Sequence, residues 1–130
     1  EISAEARSLI GEKMEAQAKL MKEAFESTAK EMGGEAIVEI DVMYPGFKFG
    51  DGDHVVEVAK KAAEKIGRTP SLTQSGGGSD ANVIAGFGIP TVNLAVGYEE
   101  IHTTKEKMPI EELVKVAEMV VSIAQVVAAE

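Results

Sequence analysis

The sequence predicts an α/β protein in which strand–helix–strand units follow one another along the chain. Apolar and polar side chains alternate from Glu35 to Tyr44, which is the period of a strand with one wet face. In the preceding segment, from about Gly11 to Met32, apolar side chains recur at helical spacing. A short, largely apolar run from Thr91 to Val96 lies between two further helical patterns, as buried strands do in this class.

The first half of the chain is predicted to form one right-handed crossover unit. Glu1 to Arg7 alternates weakly and is a candidate half-buried strand. The helix that follows should end at Gly33-Gly34, and Tyr44-Pro45-Gly46-Phe47 should end the next strand. Its apolar stripe is predicted to pack in a core, because methionines fill irregular gaps there. The stripe consists of Met14, Ala18, Met21, Phe25, Ala29 and Met32.

The second half is predicted to contain three helices and two strands. An amphipathic helix runs from Asp53, a suitable N-cap, to Ile66. A short strand from Pro70 to Gln74 and a short helix from Ser79 to Gly86 lead to the strand that begins at Thr91. The last helix begins at Pro109 and continues to Ala129. Its apolar face is wide enough to be buried against a sheet and contains Leu113, Val116, Ala117, Val120, Ile123, Ala124 and Val127.

The composition excludes several classes of protein. The 130 residues suffice for one ordinary domain, and 45% of them are hydrophobic, so the chain is expected to fold. A formal net charge of −9 argues against nucleic acid or an anionic membrane bound through a basic patch. The absence of cysteine excludes a disulfide scaffold and a thiolate metal site. No signal peptide and no membrane-length apolar stretch are visible, so we expect a cytoplasmic protein.

Three consecutive glycines precede the predicted short helix, in the run Ser75-Gly76-Gly77-Gly78-Ser79-Asp80-Ala81-Asn82. In a functional interpretation, the N–H groups of Gly77, Gly78 and Ser79 bind a carboxylate or phosphate. Ser79 or Asp80 then caps the helix, and Asn82 supplies a side-chain donor. In a structural interpretation the glycines only allow a tight turn. The spacing does not decide between the two, and it matches neither a P-loop nor a dinucleotide-binding fingerprint.

His102 is also ambiguous from its position alone. A lone histidine in a loop is more often a surface residue than a ligand. His102 follows the predicted strand from Thr91 to Val96, however, and open α/β sheets bind ligands beyond the carboxyl ends of their strands. Its neighbours Thr103, Thr104 and Glu106 are candidates to orient the ring. The chain has no His-Glu-x-x-His or His-x-Asp spacing, so a complete zinc site is not predicted.

In combination these motifs resemble the C-terminal part of the superfamily of peptidase T, carboxypeptidase G and acetylornithine deacetylase, and above all peptidase-T-like proteins. These are co-catalytic zinc metallopeptidases, in which a lid, or dimerisation, domain of ferredoxin-like fold interrupts an α/β catalytic domain. The resemblance implies that residues 1–49 are the last strand–helix–strand piece of the lid and residues 50–130 the C-terminal segment of the catalytic domain. It rests on Ser75–Asn82, Gly88–Asn93, Gly97-Tyr98 and Ile101–Glu106.

The resemblance also assigns roles to residues. His102 matches the superfamily's last metal ligand, on the second of two divalent ions that are expected to be Zn²⁺. Ser75 stands where some peptidase T sequences carry an arginine that grips the substrate carboxylate. The residues that match the substrate-binding loop, where that carboxylate is usually held, are Gly77, Gly78, Ser79, Asp80 and Asn82.

Other parts of the superfamily's active site are expected upstream of this chain. They include the His-x-Asp motif, the bridging aspartate and the Glu-Glu pair with the general base. The resemblance therefore implies a C-terminal piece of a longer enzyme, with no catalytic residue of its own and no hydrolysis by the 130 residues alone. The parent is expected to cleave a peptide or amide bond with a two-metal-activated water.

Several alternatives stay open. Within the superfamily, the substrate is a peptide or an N-acyl amino acid, and the parent is a tripeptidase or aminopeptidase, a carboxypeptidase or an N-acyl amino acid deacylase. A lid strand lying between the two predicted here is expected outside the chain, which favours a homodimer or pairing with the N-terminal part. From another class, the chain is a stand-alone α/β module for anion binding or dimerisation.

Overall fold

The computed structural model describes all residues from Glu1 to Glu130 and contains four α-helices joined by irregular segments. The helices are α1 (Gly11–Glu31), α2 (His54–Lys65), α3 (Asp80–Gly86) and α4 (Ile110–Val127). The chain divides into two compact units, one of residues 1–47 with 75–89 and one of residues 48–74 with 90–130. None of the four helices combines the length and the apolar character that crossing a bilayer requires.

Helix α1 confirms the helix that the methionine-rich stripe predicts. It ends where Gly33-Gly34 indicates, because the Gly33 N–H donates to the Lys30 carbonyl (3.1 Å) and the Gly34 N–H to the Ala29 carbonyl (2.8 Å). The stripe residues within α1 are half-buried, but no residue of the helix is fully buried. Met32 lies beyond the helix and is 83% exposed, so the prediction that it packs in a core is wrong.

Helix α2 starts one residue after Asp53, as predicted, but Asp53 does not cap it through its side chain. The Asp53 carboxylate instead accepts a hydrogen bond from the Gly50 N–H (2.5 Å), which closes the preceding loop. Lys60 donates to Asp51 of the same loop (2.8 Å), and this hydrogen bond raises the pKa of Lys60. The buried residues of α2 are Val56, Val58 and Ala62.

Helices α2 and α4 pack against each other and form the core of the second unit. The two helices run antiparallel, since Lys115 donates to the Ile66 carbonyl at one end (3.0 Å) while His54 pairs with Glu130 at the other (3.4 Å). Ala62 is completely buried at the centre, where a small side chain lets the helices approach closely. The core cluster consists of Val58, Ala62 and Val126, with Met119 and Ile123 packed against it.

Ser122 is the buried polar group of this helix pair. Its Oγ donates to the Ala62 carbonyl (2.9 Å) in an environment where a polar group without a partner is costly. Ser122→Ala removes this hydrogen bond with almost no change in volume. We expect the free energy of unfolding, measured by urea denaturation, to fall by about 1 kcal/mol. An unchanged midpoint would contradict a stabilising role for the Ser122 hydroxyl.

The predicted apolar face of α4 is only partly correct. Ile123 packs toward α2, but Leu113 is 58% exposed and Val120 64% exposed. The side facing α2 instead includes Ser122 and Val126, which the predicted face omits. The helix is apolar around most of its circumference, so its periodicity cannot choose which side packs.

The predicted strands are not found, and the strand–helix–strand description of the first unit is not confirmed. The chain contains no β-strand; its single isolated bridge joins Glu99 and Lys107. Residues 1–7, 35–44, 70–74 and 91–96 are all irregular. A strand exists only as part of a ladder with neighbouring strands. Alternating side chains indicate that a segment suits one face of a sheet, but they do not supply the neighbours.

Candidate functional site

The glycine turn, Ser75 to Ser79, leads directly into α3 in the first unit. The Gly77 N–H donates to Ser75 Oγ (3.3 Å), and the Ser79 N–H donates to Asn82 Oδ1 (3.0 Å). Two of the three N–H groups that the sequence offers to an anion are therefore engaged within the chain. The Gly78 N–H is the remaining donor of this set.

The Tyr44 side chain, which packs against Gly78, explains why this position is glycine. None of the three glycines has a positive φ, so the backbone conformation of the turn does not itself require glycine. A Cβ atom added to Gly78, however, would collide with the hydroxyl and ring of Tyr44. A Cβ on Gly77 would meet only Ser75 Oγ, at 3.6 Å, and one on Gly76 would meet nothing within 4 Å. The position that must stay small is thus Gly78, and the Tyr44 side chain sets that requirement.

Asn82 holds the start of α3 in place. Asn82 and Ser79 form a capping box, in which each side chain accepts a hydrogen bond from the other residue's backbone N–H. The opposite end of the Asn82 amide donates to the Pro45 carbonyl (2.9 Å). Asn82 is only 8% exposed, whereas Asp80 in the first turn of α3 is exposed. Both ends of the Asn82 side chain are therefore occupied by the chain itself.

The end of α3 lies against the same segment. A Cβ atom added to Gly86, the last residue of α3, would lie 3.0 Å from Pro45 Cγ. Tyr44 and Pro45 therefore contact the glycine turn, the first turn of α3 and its last residue. The sequence predicts Tyr44-Pro45 only as the end of a strand, so it misses this contact. No local pattern could have indicated it, since Pro45 and Asn82 are 37 residues apart.

His102 lies at the tip of a short closed loop in the second unit. Two backbone hydrogen bonds between Glu99 and Lys107 (2.9 and 3.2 Å) close the loop, and their side chains form an ion pair (3.0 Å). The Glu106 carboxylate accepts a hydrogen bond from the His102 N–H (2.8 Å). The Thr103 hydroxyl donates to the Glu100 carbonyl (2.7 Å). Glu106 and Thr103 thus hold the loop backbone that carries His102, and the orientation of the ring by these neighbours stays a prediction.

Within this loop, His102 has φ 63° and Glu100 has φ 52°. Left-handed backbone is uncommon for residues other than glycine, although histidine tolerates it better than most. Such conformations persist only where surrounding contacts hold them, and they concentrate at functional sites. The hydrogen bond from the His102 N–H to Glu106 is one such contact.

The base of the His102 loop is fixed on α4. Gly97, with φ 84°, packs directly on the side chain of Glu112, and an added Cβ would lie 2.7 Å from Glu112 Cγ. Glu112 in turn accepts a hydrogen bond from Arg68, just beyond α2 (2.5 Å). The loop is therefore tied at its base, while its tip is exposed to solvent.

The predicted site residues fall into two sets. Gly77, Gly78, Ser79, Asp80 and Asn82 lie in the first unit, and His102 lies in the second. No group of three or more histidine, aspartate or glutamate side chains is placed to hold a metal ion. The imidazole of His102 is thus a single candidate donor, and one donor does not fit a stable metal site.

The sequence of the whole chain decides the family. Residues 3–126 match the family described as Peptidase family M20/M25/M40. The chain belongs to this family. Membership confirms the resemblance to peptidase-T-like proteins that the glycine turn and the Ile101–Glu106 motif indicate.

Proteins similar to this chain include two of known structure. Aminopeptidase PepT from Bacillus cereus ATCC 10987 is 81% identical, with a TM-score of 0.79 over 93% of this chain and 32% of that one. A tripeptidase from Staphylococcus aureus subsp. aureus mu50 is 46% identical, with a TM-score of 0.85 over 95% of this chain and 33% of that one. The uncharacterized protein YqjE of Bacillus subtilis (strain 168) is 74% identical over 95% of this chain and 33% of its own length. The chain therefore spans about a third of the length of these three proteins.

Proposed function

We propose that these residues belong to a metal-dependent peptidase that hydrolyses short peptides, as an aminopeptidase or tripeptidase. The observation that carries the proposal is the match to a peptidase family over residues 3–126. The 81% identity to a solved aminopeptidase supports the choice of an aminopeptidase over a carboxypeptidase or a deacylase. Because the chain covers about a third of that protein, the activity is proposed for the longer protein that contains these residues.

The glycine turn is proposed to contact the peptide. The Gly78 N–H is the backbone donor that the chain leaves available there, and a substrate carboxylate is a suitable acceptor for it. Gly77, Ser79 and Asp80 form the rest of this surface, while Asn82 lies behind it. The exposed carboxylate of Asp80 would repel a substrate carboxylate placed directly beside it, so the two should be separated by the width of the turn.

His102 is proposed to donate one imidazole nitrogen to a metal site whose other ligands come from outside these 130 residues. The closed loop and the Glu106 contact hold the backbone from which the ring projects. Two Zn²⁺ ions are the proposed metals. Since a single donor is not a site, the isolated chain is proposed to be inactive and to depend on an N-terminal part of the longer protein for the other ligands.

Peptide hydrolysis by the complete gene product tests the proposed function. Three substrates separate the alternatives: a tripeptide with a free amino group, a tripeptide with a free carboxylate but an acetylated amino group, and an N-acetyl amino acid. We expect cleavage of the first, loss of that cleavage after removal of metal by a chelator, and recovery on adding Zn²⁺. Preferred cleavage of the N-acetyl amino acid would favour a deacylase. No hydrolysis of any substrate by the metal-loaded protein would contradict the proposal and favour a binding or dimerisation module.

A further inference from the structure

We propose that Asn82 is a positioning residue, which sets the place of the glycine turn by tying it to the Tyr44–Pro45 segment, and that it does not itself contact substrate. The inference rests on the proposed function only in naming the turn as a peptide-binding surface. The link between the turn and the Tyr44–Pro45 segment consists of hydrogen bonds and packing contacts within the first unit. It joins two parts of the chain that the predicted boundary between residues 49 and 50 would separate.

The contacts of the Asn82 amide carry the inference. Its Oδ1 accepts from the Ser79 N–H (3.0 Å) and from Ser79 Oγ (3.4 Å), and its Nδ2 donates to the Pro45 carbonyl (2.9 Å). One planar amide therefore fixes the last residue of the turn with one end and a distant segment with the other. Burial strengthens this restraint, because breaking either contact would leave a polar group without water to replace its partner.

Packing contacts around Asn82 also hold the turn and α3 against the Tyr44–Pro45 segment. Tyr44 lies against Gly78, and Pro45 lies against Gly86, so the segment touches the turn and α3 on both sides of the Asn82 hydrogen bond. Substituting Asn82 should therefore displace the Gly78 N–H, the available donor of the turn, rather than remove a donor to the peptide. Displacement of binding groups is expected to raise KM more than it lowers kcat.

The two ends of the amide can be separated by substitution. Asn82→Asp keeps an oxygen that can accept from the Ser79 N–H, but it places a second oxygen against the Pro45 carbonyl and so breaks the tie. Asn82→Ala removes both contacts. Ser122→Ala is the matched control, since it also removes one buried hydrogen bond from a side chain to a backbone carbonyl, in the α2–α4 core.

The test uses the complete gene product and has a readout that does not depend on activity. Amide hydrogen exchange is followed in the peptide containing residues 75–82, and KM and kcat are measured on the tripeptide. In Asn82→Asp and Asn82→Ala we expect exchange at the turn to be roughly tenfold faster. KM should rise by about tenfold, with kcat changed by less than about threefold. Ser122→Ala should lower the thermal midpoint without altering exchange at the turn or KM.

Three other outcomes would overturn the inference, and a fourth would overturn the proposed function alone. If Asn82→Asp keeps the wild-type exchange rate and KM, the hydrogen bond from Asn82 to the Pro45 carbonyl does not position the glycine turn. The same changes in Ser122→Ala would show that they follow from global stability. A fall in kcat alone, with normal exchange at the turn, would indicate direct contact with the reacting substrate. If the wild-type protein hydrolyses no peptide, the proposed function fails, and the exchange measurement alone decides whether Asn82 positions the turn.

Discussion

Gly78→Ala is expected to destabilise the protein by about 1–3 kcal/mol, the usual cost of forcing an extra methyl group into an occupied space. The added Cβ would fall on the hydroxyl end of Tyr44, so the ring or the turn has to move. Moving the turn displaces the Gly78 N–H, which we propose as a donor to the peptide. The expected result is a lower midpoint in urea denaturation together with a higher KM for the tripeptide.

Gly77→Ala provides the control for this substitution. It makes the same change one residue earlier, where the new Cβ would meet only Ser75 Oγ, at the ordinary contact distance of 3.6 Å. Gly77 does not have a positive φ, so alanine adds no backbone strain there. Stability should be unchanged or slightly higher, because alanine reduces the conformational entropy of the unfolded chain.

A double-mutant cycle with Tyr44 identifies the cause of the loss. Tyr44→Ala removes the atoms that the new methyl group would meet, so the two substitutions together should cost less than the sum of their separate effects. We expect an interaction energy between about 0.5 and 3 kcal/mol. Additive costs would show that Tyr44 does not set the requirement for glycine. Equal stability of the Gly77 and Gly78 variants would show that the Tyr44 ring swings aside freely.

Much of the helical structure could be predicted because its signals are local. Apolar spacing places α1 and α2, and Gly33 and Gly67 end them with the hydrogen bonds of a Schellman motif. The start of α3 follows from Ser79, whose capping partner Asn82 is only three residues away. In each case, the residues that begin or end the helix lie within about one helical turn of the groups that they contact.

The contacts that the sequence does not predict are those made over long separations. The predicted strands would need neighbouring strands, which the periodicity of a segment cannot specify. Which side of α4 becomes buried depends on the position of α2, because α4 is apolar around most of its circumference. The same holds for the glycine turn, since the reason for Gly78 lies in Tyr44, which is 34 residues earlier in the chain. The residue types of the turn could thus be identified as special, whereas the side chain that makes them special could not.

His102→Ala should cause the largest loss of activity, at least about 100-fold in kcat/KM of the complete gene product. Removing a residue that only supports a metal ligand commonly costs 10–100-fold, so the loss of a ligand should cost no less. The metal content of the purified protein, measured by mass spectrometry, should fall as well. Because the loop is closed by Glu99 and Lys107 and His102 is exposed at its tip, the substitution should leave the fold intact.

His54→Ala is the matched control for the loss of an imidazole. His54 is the only other histidine in the chain and lies in the same unit, where its ring is exposed and pairs with Glu130 (3.4 Å). A surface pair of this kind contributes little to stability, and we assign His54 no ligand role. Metal content and kcat/KM should stay at wild-type values. Full activity and full metal content in His102→Ala would contradict the proposal that His102 is a metal ligand and that its loop takes part in metal binding.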